Sequence, residues 1–386
     1  MHLKQSPFDT QELVESIIWH IDHAPGQSKQ DLLTCALVAG LWTYPAQSRI
    51  FRRLVWLAND LSLRWPLLRR ALGSAPYLVQ HIRRLRIFSG EMPTNFLDLF
   101  SDMCTFPFTH LEHADVSLDH TLPLQDVLSV RQLFGLTTLR SVAFRWMGNL
   151  YDSDLESFRR LWELCSPNIK HLVLHIYRPP PISAPRRSQT PVIFLESLDI
   201  YTSDSLDHVL HATPFSLGQL NKLSVDLFTS SILWHPFALS LQSVQYLAFG
   251  VRVLRSYDTP SKSVIKFGQT TAASIDLSLL PNLVVLGIWF NRVDAAEKQL
   301  QVLSTINAAH QISTIIFQTR VFVSSACEKL DAKLSSLPMP QPPIVVLDMD
   351  DGKYSQWRQH MPTLRSSNLL RRASLSAWPF ARSWEE

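Results

Sequence analysis

The chain has 386 residues, 46% of them hydrophobic and 18% charged, and carries a net charge of +3. This balance can bury a large core and excludes a disordered tail protein, while so small a charge argues against a nucleic-acid groove. The length allows two ordinary domains, or one domain joined to a solenoid.

Cys35, Cys104, Cys165 and Cys327 form no C-x-x-C pair and read as buried free thiols in a reducing compartment. The opening Met1-His2-Leu3-Lys4-Gln5-Ser6-Pro7-Phe8 has no apolar leader core, and no run of about eighteen apolar residues follows. The expectation is a soluble protein of the cytoplasm or nucleus, with no membrane and no nucleic-acid partner.

Asp9-Thr10-Gln11-Glu12 is a capping-box pattern for a first helix, along which Leu13, Ile17 and Ile21, flanked by Val14 and Ile18, make one broad apolar stripe. Ser28-Lys29-Gln30-Asp31 repeats the cap, and Leu32, Leu33, Ala36 and Leu37 give a second short amphipathic helix. A third is expected to start near Pro45 and to carry Ile50, Phe51 and Leu54. Three helices in about 45 residues hold more apolar surface than so small a unit can hide, which implies a partner. Residues 61–73 read as a connecting helix that stops at Gly73 and covers the first of a series of repeats.

The repeats have three apolar positions spaced three and then two apart, the last pair in strand alternation. They are Ile82/Leu85/Ile87, Leu111/Ala114/Val116, Leu139/Val142/Phe144, Ile169/Leu172/Leu174 and Leu195/Leu198/Ile200. The series continues with Leu220/Leu223/Val225, Val244/Leu247/Phe249, Leu283/Leu286/Ile288, Ile312/Ile315/Phe317 and Ile344/Leu347/Met349. Middle residues are separated by 29, 28, 30, 26, 25, 24, 39, 29 and 32 positions, a leucine-rich-repeat rhythm. Helices are expected between them, from the capping box Ser153-Asp154-Leu155-Glu156 to Cys165, from Asp204 to Ala212, and from Asp294 to about Ala309. A strand, a turn and a helix per unit is the content of a horseshoe-like repeat. Many copies lack the Asn or Cys that follows the strand in a regular repeat, so irregular units are expected.

Residues 178–191 include five prolines and no apolar period, an extended loop that is either a tolerated insertion or a docking segment. Residues 256–271 form a second excursion or an unrecognised strand. The tail, 351–386, mixes arginines with Trp357, Trp378 and Trp384 and is expected to be partly ordered.

No G-x-S-x-G, H-E-x-x-H, Walker or G-x-G-x-x-G motif occurs, which disfavours an enzyme, and no cofactor or metal is called for. Asp348-Met349-Asp350-Asp351-Gly352 resembles a calcium loop but lacks the closing Glu. His171 and His175 read as a polar strand face, with a metal pair as the alternative; Arg371-Arg372-Ala373-Ser374 resembles a basophilic kinase site.

Glu12-Leu13-Val14, Ile17-Ile18, Ile21, Asp31-Leu32-Leu33, Leu37-Val38 and Trp42 together resemble the F-box motif, and the continuation to His81 and Leu85 is similar to F-box-like proteins of mushroom-forming fungi. The resemblance implies an α/β fold: an F-box-like three-helix unit (8–54), connecting helices (55–81), an irregular leucine-rich-repeat-like solenoid with a parallel sheet (82–350), and the tail (351–386). It implies a non-enzymatic substrate receptor in a ubiquitin ligase complex, with a Skp1-type adaptor and a cullin ligase as partners and an unknown protein substrate held by the repeats. Adaptor-binding residues would be Phe8, Leu13, Ile17, Ile18, Leu33, Leu37, Val38 and Trp42, although Trp42 reads equally as core filling. The missing Leu-Pro opening, and Ala39-Gly40-Leu41 where the family has Cys and a basic residue, motivate a second reading, a repeat scaffold that engages no such adaptor.

Overall fold

The computed structural model describes residues 11–23, 29–38, 40–88, 95–118, 124–149, 155–178, 193–202, 213–227, 241–251, 276–290, 300–319 and 324–373. Outside them lie Phe8, the caps expected at Asp9, Ser28 and Ser153, the Asp204 helix, the start of the Asp294 helix, the proline-rich insertion after Arg178, the excursion at 256–271, and Ser374 with the residues beyond it. The fold is mixed α/β, and the chain divides into two compact units: Met1–Met147 with Glu156–Ile169, and Gly148–Leu155 with Lys170–Glu386.

The first unit opens with helices α1 (Gln11–His23), α2 (Lys29–Val38) and α3 (Gly40–Arg52). Val14, Ile18, Leu32 and Ala46 form their shared core, with Ile21, Cys35, Ala36, Trp42 and Ile50 packed against it. Because α3 already starts at Gly40, Pro45 sits inside the helix and does not open it. The proline is the sixth residue of the helix, past the first turn, so it forfeits one intrahelical backbone hydrogen bond, while its ring is buried.

Directly after α3 comes a strand that the apolar spacing did not suggest, β1 (Arg53–Leu57). Leu54, expected in the third helix, is buried here together with Trp56, while Val55 and Leu57 point to the exposed side. Helix α4 (Ala58–Ser74) spans the expected connecting helix, and α5 (Phe96–Cys104) packs beside it. Asp102 of α5 ties them together, accepting from Trp65 Nε1 at 2.8 Å and from Arg69 Nη1 at 2.6 Å.

Strands β2 (Arg84–Phe88), β3 (His113–Leu118) and β4 (Ser141–Asn149) follow, with helices α6 (Val130–Phe134) and α7 (Leu155–Trp162). β1 to β4 pair in sequence order, all parallel, and the register aligns Leu54, Leu85, Ala114 and Val142. Against the buried face, Phe134 stacks on Trp162 with ring centroids 5.5 Å apart, and Phe144 meets both edge-on at 6.2 and 6.1 Å. Gly135 ends α6 where an added Cβ would lie 2.8 Å from the Leu164 carbonyl oxygen, so only glycine fits that approach.

In the second unit, β5 (His171–Arg178), β7 (Ser197–Thr202), β9 (Lys222–Leu227), β10 (Tyr246–Val251), β11 (Val285–Phe290), β12 (Thr314–Thr319), β13 (Ile344–Asp348) and β14 (Leu370–Arg372) are neighbours in that order, again all parallel. The short strands β6 (Ile193–Phe194) and β8 (Phe215–Ser216) pair separately. Leu172, Leu198, Leu223, Leu247, Leu286 and Ile315 stand side by side, and every apolar triplet expected from Ile82 to Phe317 is buried. The tenth copy is out of step. Val345 pairs with Ile315 and Leu347 with Phe317, so Leu347 is the last member of its triplet and not the middle one. Much of the expected tail is ordered as helices Asp351–Gln359 and Pro362–Ser366 and strand β14, with Trp357 fully buried.

One backbone device recurs in both units. At seven of the strand entries the carbonyl two residues before the middle position accepts two successive N–H groups from the next turn: Arg83 from Glu112 and His113, Glu112 from Arg140 and Ser141, Lys170 from Glu196 and Ser197, Glu196 from Asn221 and Lys222. Asn221, Gln245 and Val284 do the same for the turns that follow them.

Replacing Gly135 by alanine is expected to cost about 1–3 kcal/mol, because the obstruction is backbone and cannot rotate away. Urea unfolding of the full chain measures it, and a midpoint unchanged from wild type contradicts the close approach.

Candidate protein-interaction surface

The head made by α1 to α3 is too small to hide its own apolar residues. On α2, Leu32, Cys35 and Ala36 turn inward, leaving Leu33 and Leu37, four residues apart, on another face. Leu37 is 86% exposed and Val38 65%, with Leu13, Leu33 and Leu41 also exposed. Fully burying side chains of this size is worth about 1.5–3 kcal/mol each, so a partner covering several of them has a large driving force.

The expected anchors therefore separate. Leu13, Leu33, Leu37 and Val38 are on the surface, and Ile17 is half-buried. Ile18 is only 1% exposed and fills the head's core, so it offers no surface contact; α1 turns Val14 and Ile18 toward α3. Trp42 is half-buried against the same core, the second of its two readings. Leu41 is exposed beside these positions without having been singled out in the sequence; its place after Leu37 and Val38 was the available signal.

The strands contribute surfaces of another kind. Residues between the buried pairs point to the opposite side of the sheet. In the first unit these include Arg86, Asp115 and Arg145. Asp115 is buried, with Arg86 Nε 2.8 Å from its Oδ2 and Arg145 Nη1 bonded to its Oδ1. Arg86 also lies over the Phe88 ring, 4.2 Å from its centroid; burial lowers the pKa of its guanidinium, and the Asp115 charge opposes that.

In the second unit, the side away from the leucines carries His171, Lys222 and Tyr246 along one row and His175 and Tyr201 along another. His175 Nε2 is 3.7 Å from Asp199 Oδ2 and its ring centroid 5.4 Å from that of Tyr201, while Lys222 Nζ stands 5.3 Å from the centre of the Tyr246 ring. Four steps along the strand separate His171 from His175 by about 13 Å, too far to share a metal ion. Among the described residues no three His, Cys, Asp or Glu side chains are placed to hold one. Asp350 has another duty: it caps the following helix, accepting from the Lys353 N–H at 2.9 Å and from Lys353 Nζ at 2.6 Å, which lowers its pKa. No described helix is long and apolar enough to cross a membrane. No known protein family and no curated protein matches the chain.

Two outcomes follow from these placements. Asp115→Ala leaves Arg86 and Arg145 without their shared carboxylate and is expected to destabilise the fold by about 3 kcal/mol, read from urea unfolding; a change below about 0.5 kcal/mol contradicts the arrangement. His171 has its pKa lowered from 6.5 by burial, and Lys222 and Lys170 add to the shift. Between its folded and unfolded pKa the unfolded chain binds more protons, so stability falls as pH drops through and below 6.5. The urea midpoint should decline less between pH 7.5 and 5.5 in His171→Asn than in wild type, and an equal decline removes His171 from the cause.

Proposed function

We propose that the protein is a non-enzymatic substrate receptor: its α1–α3 head acts as an F-box-like unit that docks a Skp1-type adaptor and so joins a cullin ubiquitin ligase, and its successive strands form an irregular leucine-rich-repeat-like solenoid that holds a protein substrate. The observation that carries the reading is the cluster of exposed Leu33, Leu37 and Val38 on a head that already has its own core. A small unit with a separate interior and a second apolar face is organised to be covered. The substrate side fits the strand faces, where Lys222, Tyr246, His175 and Tyr201 combine charge, hydrogen-bonding capacity and rigid aromatic area, the mixture found at recognition surfaces. In-register parallel strands connected by helices and turns support the solenoid part of the proposal.

Co-purification with a Skp1-like adaptor tests it. Wild type should bind at micromolar concentrations, and a Leu37→Asp/Val38→Asp double variant, whose changes fall on exposed positions, should keep its melting temperature and lose at least about tenfold in affinity. Absence of wild-type binding overturns the receptor reading in favour of a scaffold without an adaptor. Undiminished binding by the folded variant overturns the choice of face.

A further inference from the structure

Within the first unit, a pocket of about 540 Å³ opens between α1, α3, the short 3-10 helix Pro76–His81 and the segment 110–112. Its volume lies in the range of about 300–1,000 Å³ typical of small-ligand sites. Three guanidinium side chains line it, Arg49, Arg52 and Arg83, against two carboxylates, Glu15 and Glu112, of which Glu112 is engaged by Arg83 at 3.0 Å. At its wall is His81, 6% exposed, whose Nε2 has no hydrogen-bond partner among the described residues. A buried ring nitrogen left unpaired costs on the order of 1–3 kcal/mol, a cost that a bound acceptor would relieve. Burial, with Arg83 and His110 nearby, lowers the His81 pKa, so the ring is neutral at pH 7 and able to donate one N–H. Tyr44 meets His81 edge-on with centroids 4.8 Å apart, and Pro45 and Ile18 complete an apolar side.

We propose that this pocket binds a small organic phosphate monoester, its phosphate facing Arg49, Arg52, Arg83 and His81 and its apolar body lying against Tyr44 and Pro45. The donor inventory selects the head group. Three guanidiniums against two carboxylates give the lining a net positive charge, and a phosphate dianion offers several acceptor oxygens at a geometry that arginine matches two at a time. Pocket volume selects the body, since a bare phosphate leaves most of the space unfilled. The proposal concerns a face of the head distinct from Leu33, Leu37 and Val38 and does not depend on adaptor binding.

Phenyl phosphate, inorganic phosphate and benzoate, titrated calorimetrically into the full chain, test it. Phenyl phosphate should saturate with a Kd of about 1 mM or tighter, inorganic phosphate more weakly, and benzoate, with the same ring and one charge, more weakly than phenyl phosphate. Arg52→Gln should weaken phenyl phosphate about tenfold. Gln80→Glu, which sets a carboxylate into the site, should abolish binding, and Tyr44→Ala should weaken phenyl phosphate while leaving inorganic phosphate unchanged. Melting curves establish that each variant is folded. Failure of phenyl phosphate to saturate, benzoate binding as tightly, or a folded Arg52→Gln or Gln80→Glu variant with wild-type affinity would overturn the assignment.

Discussion

The constraint on which the rest depends is the shared carbonyl found at seven of the strand entries, which accepts two N–H groups from the next turn. It sets the register before any side chain is considered. Once Arg83 holds His113 and Lys170 holds Ser197 at fixed heights, Leu85 must stand beside Ala114 and Leu172 beside Leu198. A parallel sheet shifted by one residue would turn its apolar set to the wrong side. Fixing the backbone at the entry point lets intervening segments vary in length, since loop closure grows costlier only slowly with length. The spacing of 39 residues between Leu247 and Leu286 is therefore compatible with the same pairing as the spacing of 24 before it.

Side chains reinforce that ladder where regular leucine-rich repeats would use an asparagine after the strand. Here the polar residue comes four positions before the middle one. Thr138 donates to the Leu111 carbonyl, Asn168 to Thr137, Ser243 to Leu220 and Asn282 to Gln242, each at 2.7 Å. His310 performs a related task deeper in the second unit: its Nε2 donates to the Leu277 carbonyl at 2.8 Å, while Nδ1 accepts from the Asn307 N–H at 3.0 Å. Buried Asp331 holds the Pro362–Ser366 helix by accepting from the N–H groups of Thr363 and Leu364. Different residue types meet the same backbone need, which is why no consensus letter appears at these positions.

That substitution also explains what could be read in advance. The apolar triplets from Ile82 to Phe317 were legible because burial on one face of a strand leaves a period of two that few other arrangements produce. Strand β1 escaped notice because Arg53-Leu54-Val55-Trp56-Leu57 is short, nearly all apolar and abuts α3, so its spacing fits a helix continuing from Phe51 as well as a strand. The slip at Val345 has the same origin: Ile344, Val345, Val346 and Leu347 are all apolar, and only pairing with Ile315 and Phe317 decides which face each takes. On the head, Leu33 and Leu37 were separable from the core by helical spacing, but Ile17 and Ile18 were not, since adjacent residues in one stripe differ only in how α3 crosses them. Asp115 gave no signal at all, because its arginines come from strands 29 and 30 residues away.

His81 occupies the place, four before Leu85, that Thr138, Asn168, Ser243 and Asn282 hold before their own strands. Those four reach back to a loop carbonyl of the preceding turn. Before β2 the corresponding backbone is the end of helix α3, where the Arg52 carbonyl accepts the Arg83 N–H, and among the described residues the His81 Nε2 has no partner. Where the ladder begins, one polar position has lost its partner, and Arg49 and Arg52 from α3 project beside it. Sequence spacing alone places His81 in the repeat, and only the change of element before it sets that buried position beside the arginines of α3.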